Sequence, residues 1–313
     1  MPHKMQLSMG ADTKLFTPGD KESSAYRNLR TNTTTPEAIA GREFAEKLWE
    51  EYQPYADSNF LIEIRRDFHA RFWEMYLTCA LLKCSLQQEY AVSCPKSKAG
   101  GPDIRIEHSG HCIWVEAVTA TDGDSDKPDS IIAPTLGKVY DVPDDRITLR
   151  YRTAIEQKYH KYRKYRKNGI VNKGDSYIIA VNGYPLSYRW TDAEMPRILK
   201  AVFPIGALQF VFDRTTGKLG EATHEQRPKI YKITGNAVST DCFVNDQYCG
   251  ISAILHSYAN ACMTTLPLGL DFLVAHNPKA SCGVRRGLIP VHREYWVEEG
   301  GSLGFEPGAK FCQ

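Results

Sequence analysis

The chain has 313 residues and a formal net charge of +2; 42% of its residues are hydrophobic and 24% are charged. This composition excludes extensive disorder, and the charge alone does not single out a nucleic-acid-binding protein. The chain has no apolar run of about eighteen residues and no apolar block near its N-terminus, so we expect a cytoplasmic protein without membrane contact. The nine cysteines are scattered and odd in number, which favours reduced thiols.

The N-terminal part of the chain contains two predicted regions. Residues 1–40 are polar and include a Thr-Asn-Thr-Thr-Thr-Pro run, so we expect a loosely ordered arm with a helix beginning near Thr35. Residues 60–83 then carry apolar side chains at helical spacing, which predicts one long and largely buried helix. The apolar positions are Leu61, Ile64, Phe68, Phe72, Met75, Cys79 and Leu82.

The apolar period then changes from helical to alternating. Residues 87–94 predict a strand, and residues 103–118 predict a β-hairpin with Ser109-Gly110 at its turn. In that register Asp103 lies directly opposite Glu116. The hairpin therefore brings together two acidic residues that are thirteen positions apart in the sequence.

The elements after the hairpin predict an α/β fold. A second helix is expected over residues 145–167 and a strongly apolar strand over residues 177–181, with further strand-like runs at 208–212, 251–255 and 272–275. The order helix, three strands, helix, strand predicts a central mixed sheet flanked by helices. We expect an α/β core over residues 41–185 and a C-terminal β-containing extension, residues 186–313, packed on that core.

The opposed carboxylates predict a metal site. Directly opposed residues share one face of a sheet, with Cβ atoms about 4.5–5.5 Å apart, and two like charges there need a neutralising partner. Carboxylate oxygens at this spacing suit Mg²⁺ or Mn²⁺. The alternative is that Asp103 merely ends a turn and Glu116 pairs with a surface Lys or Arg. Apolar side chains should anchor the opposite face of the hairpin, namely Ile104, Ile106, Ile113, Val115 and Ala117.

The segments Gly101-Pro102-Asp103-Ile104 and Ile113-Trp-Val-Glu-Ala-Val118, together with the order of elements over residues 60–183, resemble the PD-(D/E)XK nuclease superfamily. The resemblance implies a restriction-endonuclease-like core in which Asp103 and Glu116 are catalytic and bind the metal. The chain departs from the family at Val118, where the catalytic lysine usually stands. That lysine is known to move to neighbouring elements in this superfamily.

The second helix offers a substitute for the missing lysine. Lys158 lies on the apolar stripe of that helix and therefore needs an anionic partner or must reach past its neighbours to solvent. Gln157 and Lys161 are weaker substitutes. Glu74, on the first long helix, resembles an additional acid that many such nucleases use, and the alternative is a solvated or salt-bridged glutamate.

These features predict a Mg²⁺-dependent endonuclease that hydrolyses phosphodiester bonds, with DNA favoured over RNA as substrate and a homodimer as a possible assembly. The basic outer face of the second helix should contact substrate phosphates through Lys161, Arg163, Lys164, Arg166 and Lys167. A solvated helix face is the alternative for these residues. The alternative functions are an inactive nuclease fold that binds nucleic acid or a protein partner, and a metal-independent structural protein.

Overall fold

An eight-stranded mixed sheet organises this α/β protein, and helices cover both of its faces. The computed structural model describes residues 13–95, 100–192, 195–264, 266–289, 291–299 and 302–307. The helices are α1 (Ser24–Thr31), α2 (Pro36–Tyr52), α3 (Phe60–Arg66), α4 (Phe68–Gln88), α5 (Asp144–Lys167) and α6 (Arg197–Lys200). The strands are β1 (Ala91–Ser93), β2 (Ile104–His108), β3 (His111–Thr119), β4 (Ser176–Asn182), β5 (Ile205–Asp213), β6 (Lys218–Gln226), β7 (Lys229–Tyr231), β8 (Ala237–Ser239), β9 (Ala253–Ser257), β10 (Leu273–His276), β11 (Arg293–Val297) and β12 (Leu303–Pro307).

The central sheet has the strand order β1-β2-β3-β4-β9-β10-β11-β12. Strand β3 pairs in parallel with β4, and β4 pairs in parallel with β9, while β2 and β3 are antiparallel. The buried strand β4 alternates its side chains between two cores, as expected for a parallel strand covered on both faces. Ile178 and Ala180 belong to the core under α2 and α4, whereas Ile179 and Val181 belong to the core under α5.

The predicted hairpin is confirmed, including its register. Strands β2 and β3 pair from Ile104 with Val115 to His108 with His111, so the next pair outward is Asp103 with Glu116. Ser109 and Gly110 both have positive φ angles, of 50° and 79°, as a two-residue hairpin turn of type I′ requires. The five apolar residues expected on the opposite face all belong to the core under α2 and α4.

The long helix predicted over residues 60–83 is wrong in one respect, because it is divided into α3 and α4 at Asp67. The Asp67 backbone leaves the helical region, at φ −131° and ψ 79°, and its side chain accepts a hydrogen bond from the amide nitrogen of Ala70. Aspartate offers the backbone this local alternative to the helical hydrogen bond, so the apolar period continues while the helix restarts. Helix α4 then extends to Gln88, which shortens the predicted strand 87–94 to β1.

The predicted loosely ordered arm over residues 1–40 is wrong for residues 13–40, and residues 1–12 lie outside the described part of the chain. Leu15 and Tyr26 are fully buried, and the Tyr26 hydroxyl donates to the carbonyl oxygen of Leu15 at 2.8 Å. A few large apolar side chains therefore anchor a segment whose average composition is polar. Helix α2 begins at Pro36, next to the predicted start at Thr35.

The prediction that residues 186–313 form an extension packed on the core is also wrong, because this segment completes the central sheet. Strand β9 pairs with β4 along its whole length, from Ile178 with Ala253 to Asn182 with Ser257. Strands β10, β11 and β12 continue the sheet beyond β9. The predicted strand 208–212 lies within β5, which forms a separate two-stranded ribbon with β6. No helix among the described residues is long and apolar enough to span a membrane.

Candidate metal centre

The candidate centre is built around Glu116, an acid in the middle of strand β3. Its neighbours along the strand, Val115 and Ala117, point into the core under α4, so the alternation of the strand turns Glu116 toward α5. Only 1% of its surface is exposed. A carboxylate at such a depth needs a charged or hydrogen-bonding partner.

Helix α5 supplies that partner through Lys158. The Nζ of Lys158 lies 2.7 Å from Oε1 of Glu116, and the Nζ of Lys161 lies 3.3 Å from the same oxygen. The Lys158 side chain is 12% exposed and that of Lys161 is 54% exposed. Burial by itself would lower the pKa of Lys158, but the charges of Glu116 and Asp103 outweigh it and raise this pKa above its usual value. Lys158 is therefore charged at neutral pH.

Asp103 is the second acid of the centre and lies just before strand β2. Its Oδ2 accepts a hydrogen bond of 2.7 Å from the amide nitrogen of Ala117, the residue after Glu116. Burial, followed by the negative charge of Glu116, raises the pKa of Asp103 to about 7. Hence the two carboxylates occupy one environment and repel each other when both are ionised.

Two buried polar atoms of the centre lack a hydrogen-bond partner among the described residues: Oε2 of Glu116 and the hydroxyl of Tyr177. Burial, and then the negative charge of Glu116, raises the pKa of Tyr177 far above its usual value. An unsatisfied buried carboxylate oxygen is costly, and a bound cation, a water or a small rotation of the neighbouring Tyr177 hydroxyl would satisfy it. This orphan oxygen is the feature of the site that fits a metal ion.

Glu74 approaches the centre from helix α4, on the other face of the sheet. Its Oε1 accepts from the Tyr52 hydroxyl at 2.8 Å, and its Oε2 lies 2.7 Å from Nη1 of Arg71. Burial and the charge of Glu116 raise the pKa of Asp103, and the charge of Lys158 lowers it. The charge of Glu74 has a smaller effect and also raises this pKa. Glu74 is thus salt-bridged and close enough to Asp103 to act on it electrostatically.

The predicted phosphate-contacting residues occupy different positions on α5. Arg163, Lys164 and Lys167 are exposed to solvent. Lys161 turns toward Glu116, and Arg166 is half-buried and donates to the carbonyl oxygen of Val171 at 2.8 Å. The outer face therefore offers three unobstructed cations.

Sequence reasoning missed the aromatic groups around the acids. The Tyr165 hydroxyl donates to the carbonyl oxygen of Gly101 at 3.0 Å and so ties α5 to the segment that leads into Asp103. Burial, and then the charge of Glu116, also raises the pKa of Tyr165. Tyr165 lies seven residues, about two helical turns, after Lys158, so the helical period predicts its inward direction but not the partner of its hydroxyl group. Val118, at the position of the family lysine, packs with the core under α5.

Comparison with known proteins assigns this chain to no group: no family model matches it, and neither the curated proteins nor the solved structures contain a significant match. Within the described residues, no cluster of three or more His, Cys, Asp or Glu side chains has the geometry of a metal site. In the part of the chain that the structure describes, Asp103 and Glu116 are therefore the acids assigned to this centre, and water or substrate oxygens would have to complete a coordination shell.

Proposed function

We propose that this chain is a divalent-metal-dependent nuclease of the PD-(D/E)XK type, acting on DNA in preference to RNA. The observation that carries the proposal is the arrangement around Glu116. One oxygen of this buried carboxylate is held by Lys158, while the other has no hydrogen-bond partner among the described residues, and the charge of Glu116 helps to raise the pKa of Asp103 to about 7. Two acids and a lysine brought together by strand β3, the start of β2 and helix α5 are the set of groups that phosphodiester hydrolysis by this family requires.

Each residue of the proposed site would have its own role in hydrolysis. Asp103 and Glu116 would hold Mg²⁺ or Mn²⁺, with Oε2 of Glu116 as the available oxygen. When bound, the ion supplies Lewis-acid chemistry, because it lowers the pKa of a coordinated water and stabilises charge on a phosphate oxygen. Lys158, which is charged, would stabilise negative charge on the scissile phosphate. Arg163, Lys164 and Lys167 would contact flanking phosphates and position the strand.

A second candidate is an inactive nuclease fold that binds nucleic acid or a protein partner. It is favoured by the charge balance of the centre, where the positive charges of Lys158 and Lys161 already face Glu116. Such a site would keep its shape without a metal ion. The two candidates differ in whether the acids are needed for chemistry or only for folding.

Incubation of plasmid DNA with the purified protein and Mg²⁺ or Mn²⁺ tests the proposal. We expect wild-type protein to nick or linearise the plasmid and to lose this activity in EDTA. Asp103→Asn and Glu116→Gln should reduce cleavage by about a thousandfold or more, because each removes a negative ligand without changing side-chain volume. Cleavage that survives both substitutions would reject the assigned site.

Glu107→Gln is the matched control for these variants. Glu107 lies on the same hairpin but is exposed and pairs with Arg105 rather than with the centre. This variant should cleave like the wild type. If the wild type does not cleave but Mg²⁺ raises its melting temperature, and the increase disappears in Glu116→Gln, the inactive metal-binding fold is the correct assignment.

A further inference from the structure

An exposed cluster of aromatic and cationic side chains lies on the loop after strand β4. Trp190 is 64% exposed. The Cζ of Arg189 lies 4.8 Å from the ring centroid of Trp190 and 4.3 Å from that of Tyr184, so the guanidinium contacts both rings. The Tyr184 ring in turn lies 5.4 Å from that of His69. We call Tyr184, Arg189 and Trp190 the stacking cluster.

The loop that carries the stacking cluster is held by hydrogen bonds to neighbouring elements. The amide nitrogen of Tyr184 donates to Oδ1 of Asn182 at 2.7 Å, and the amide nitrogen of Gly183 donates to the carbonyl oxygen of Ser257 at 2.8 Å. Farther along, the amide nitrogen of Ser187 donates to Oδ1 of Asp122 at 2.9 Å. A loop fixed in this way presents its aromatic surface without a large ordering cost on binding.

Two elements lead from the proposed nuclease site to the stacking cluster. On the sheet, Ile179 of β4 is the neighbour of Glu116 and β4 ends at Asn182, two residues before Tyr184, so at most about 16 Å of chain separates Ile179 from Tyr184. On helix α4, Glu74 lies near Asp103 and His69 precedes it by five residues, about 7.5 Å along the helix axis. The stacking cluster therefore lies just beyond the carboxyl end of β4, on the order of 16 Å from the position beside Glu116, and a few unpaired nucleotides could span that length.

The chemistry of the stacking cluster matches an unpaired nucleobase. An aromatic face beside a guanidinium stacks on any base and adds attraction for the phosphate backbone. Bases in a duplex already stack on each other, so only a single strand offers free base faces to such a surface. A comparable pair exists elsewhere in the chain, where Arg286 lies 4.3 Å from the ring centroid of Trp296, but that tryptophan is half-buried.

We propose that the stacking cluster binds unpaired bases of single-stranded DNA next to the nuclease site. This inference rests on the proposed function and deepens it, because it assigns the substrate class: DNA with a single-stranded segment, such as a flap, a gap or a free end. Trp190 stacks on a base, Arg189 supplies positive charge beside it, and Tyr184 supports the guanidinium from the other side.

Fluorescence anisotropy with a labelled oligothymidine of about 16 nucleotides, in EDTA so that no cleavage occurs, tests the proposal. Wild-type protein should bind this strand, and Trp190→Ala should weaken the binding roughly tenfold or more, since each stacked base contributes about that factor. Trp190→Phe should retain most of the affinity. A duplex of equal length should bind wild type and Trp190→Ala about equally.

Trp296→Ala is the matched control, because it removes a tryptophan that also contacts an arginine. Trp296 lies on β11, which is four strands away from β3 in the sheet. This variant should leave single-strand binding unchanged. The proposal is overturned if wild type does not bind the single strand, or if Trp190→Ala leaves binding unchanged or weakens the duplex equally. The binding assay is independent of the nuclease proposal. Loss of single-strand binding in Trp190→Ala, together with no Mg²⁺-dependent cleavage of plasmid or of flapped DNA by the wild type, would support the stacking cluster and reject the nuclease proposal.

Discussion

The Nζ of Lys158 lies 2.7 Å from Oε1 of Glu116, although the two residues belong to a helix and a strand separated by 42 positions in the chain. Both side chains are buried, at 12% and 1% exposure. The contact joins a lysine on the inward face of α5 to the acid of strand β3. It is therefore the interaction through which helix and sheet fix the geometry of the candidate centre.

Removal of Lys158 should destabilise the fold. Lys158→Met leaves Glu116 buried without its closest cation, and we expect a loss of about 2–4 kcal/mol in the free energy of unfolding, because an unpaired buried charge is costly. Lys161→Met should cost less than about 1 kcal/mol, since that side chain is half exposed. Urea denaturation of both variants measures the difference, and equal effects would contradict the assignment of Lys158 as the main partner.

Stability should depend on pH through Asp103. The pKa of Asp103 is raised from its ordinary value to about 7 in the folded protein, so between about pH 4 and pH 7 the folded state binds a proton that the unfolded state has lost. The contribution of this group to stability is therefore present below pH 4 and declines as the pH rises toward 7. Asp103→Asn should flatten that part of the profile. Chemical denaturation at several pH values in EDTA measures it, and an unchanged slope would contradict the raised pKa.

Binding of Mg²⁺ should strengthen as the pH rises. The ion needs Asp103 in its ionised form, so the affinity should increase about tenfold per pH unit below about pH 7 and level off above it. At a concentration of 100 times the Kd, Mg²⁺ should add about 2.7 kcal/mol to the free energy of unfolding. Calorimetric titration with Glu107→Gln as control measures this. A pH-independent affinity would show that Asp103 is not a ligand.

Tyr177 and Tyr165 should respond differently to loss of their hydroxyl groups. The Tyr177 hydroxyl is buried without a hydrogen-bond partner among the described residues, so Tyr177→Phe should leave stability in EDTA unchanged or raise it by about 1 kcal/mol. The Tyr165 hydroxyl binds the carbonyl oxygen of Gly101, so Tyr165→Phe should lower stability by about 1 kcal/mol. Thermal melts of the two variants compare them, and a large loss in Tyr177→Phe would mean that its hydroxyl is satisfied in solution.

The hairpin and its register followed from the sequence because both are local. Alternation of apolar residues assigns each side chain to a face, and the Ser109-Gly110 turn fixes which residues oppose each other. The opposition of Asp103 and Glu116 and the inward direction of Lys158 required no information from elsewhere in the chain. The catalytic and metal-binding roles of these residues stay predictions, as do the homodimer, the cytoplasmic location and the preference for DNA.

Only the tertiary structure determines which residues that are distant in the sequence contact each other. The pairing of β4 with β9 makes the C-terminal segment part of the central sheet. No local sequence pattern predicts this pairing, because one buried strand can form hydrogen bonds with any other. No local pattern predicts the partners of Glu74 either. Nor does one predict that Lys158 is buried while Lys161, one helical turn later, is half exposed. Periodicity places a side chain on a face of its own element, but the free energy of a buried charge depends on what the opposing element presents to it, and that is set by packing.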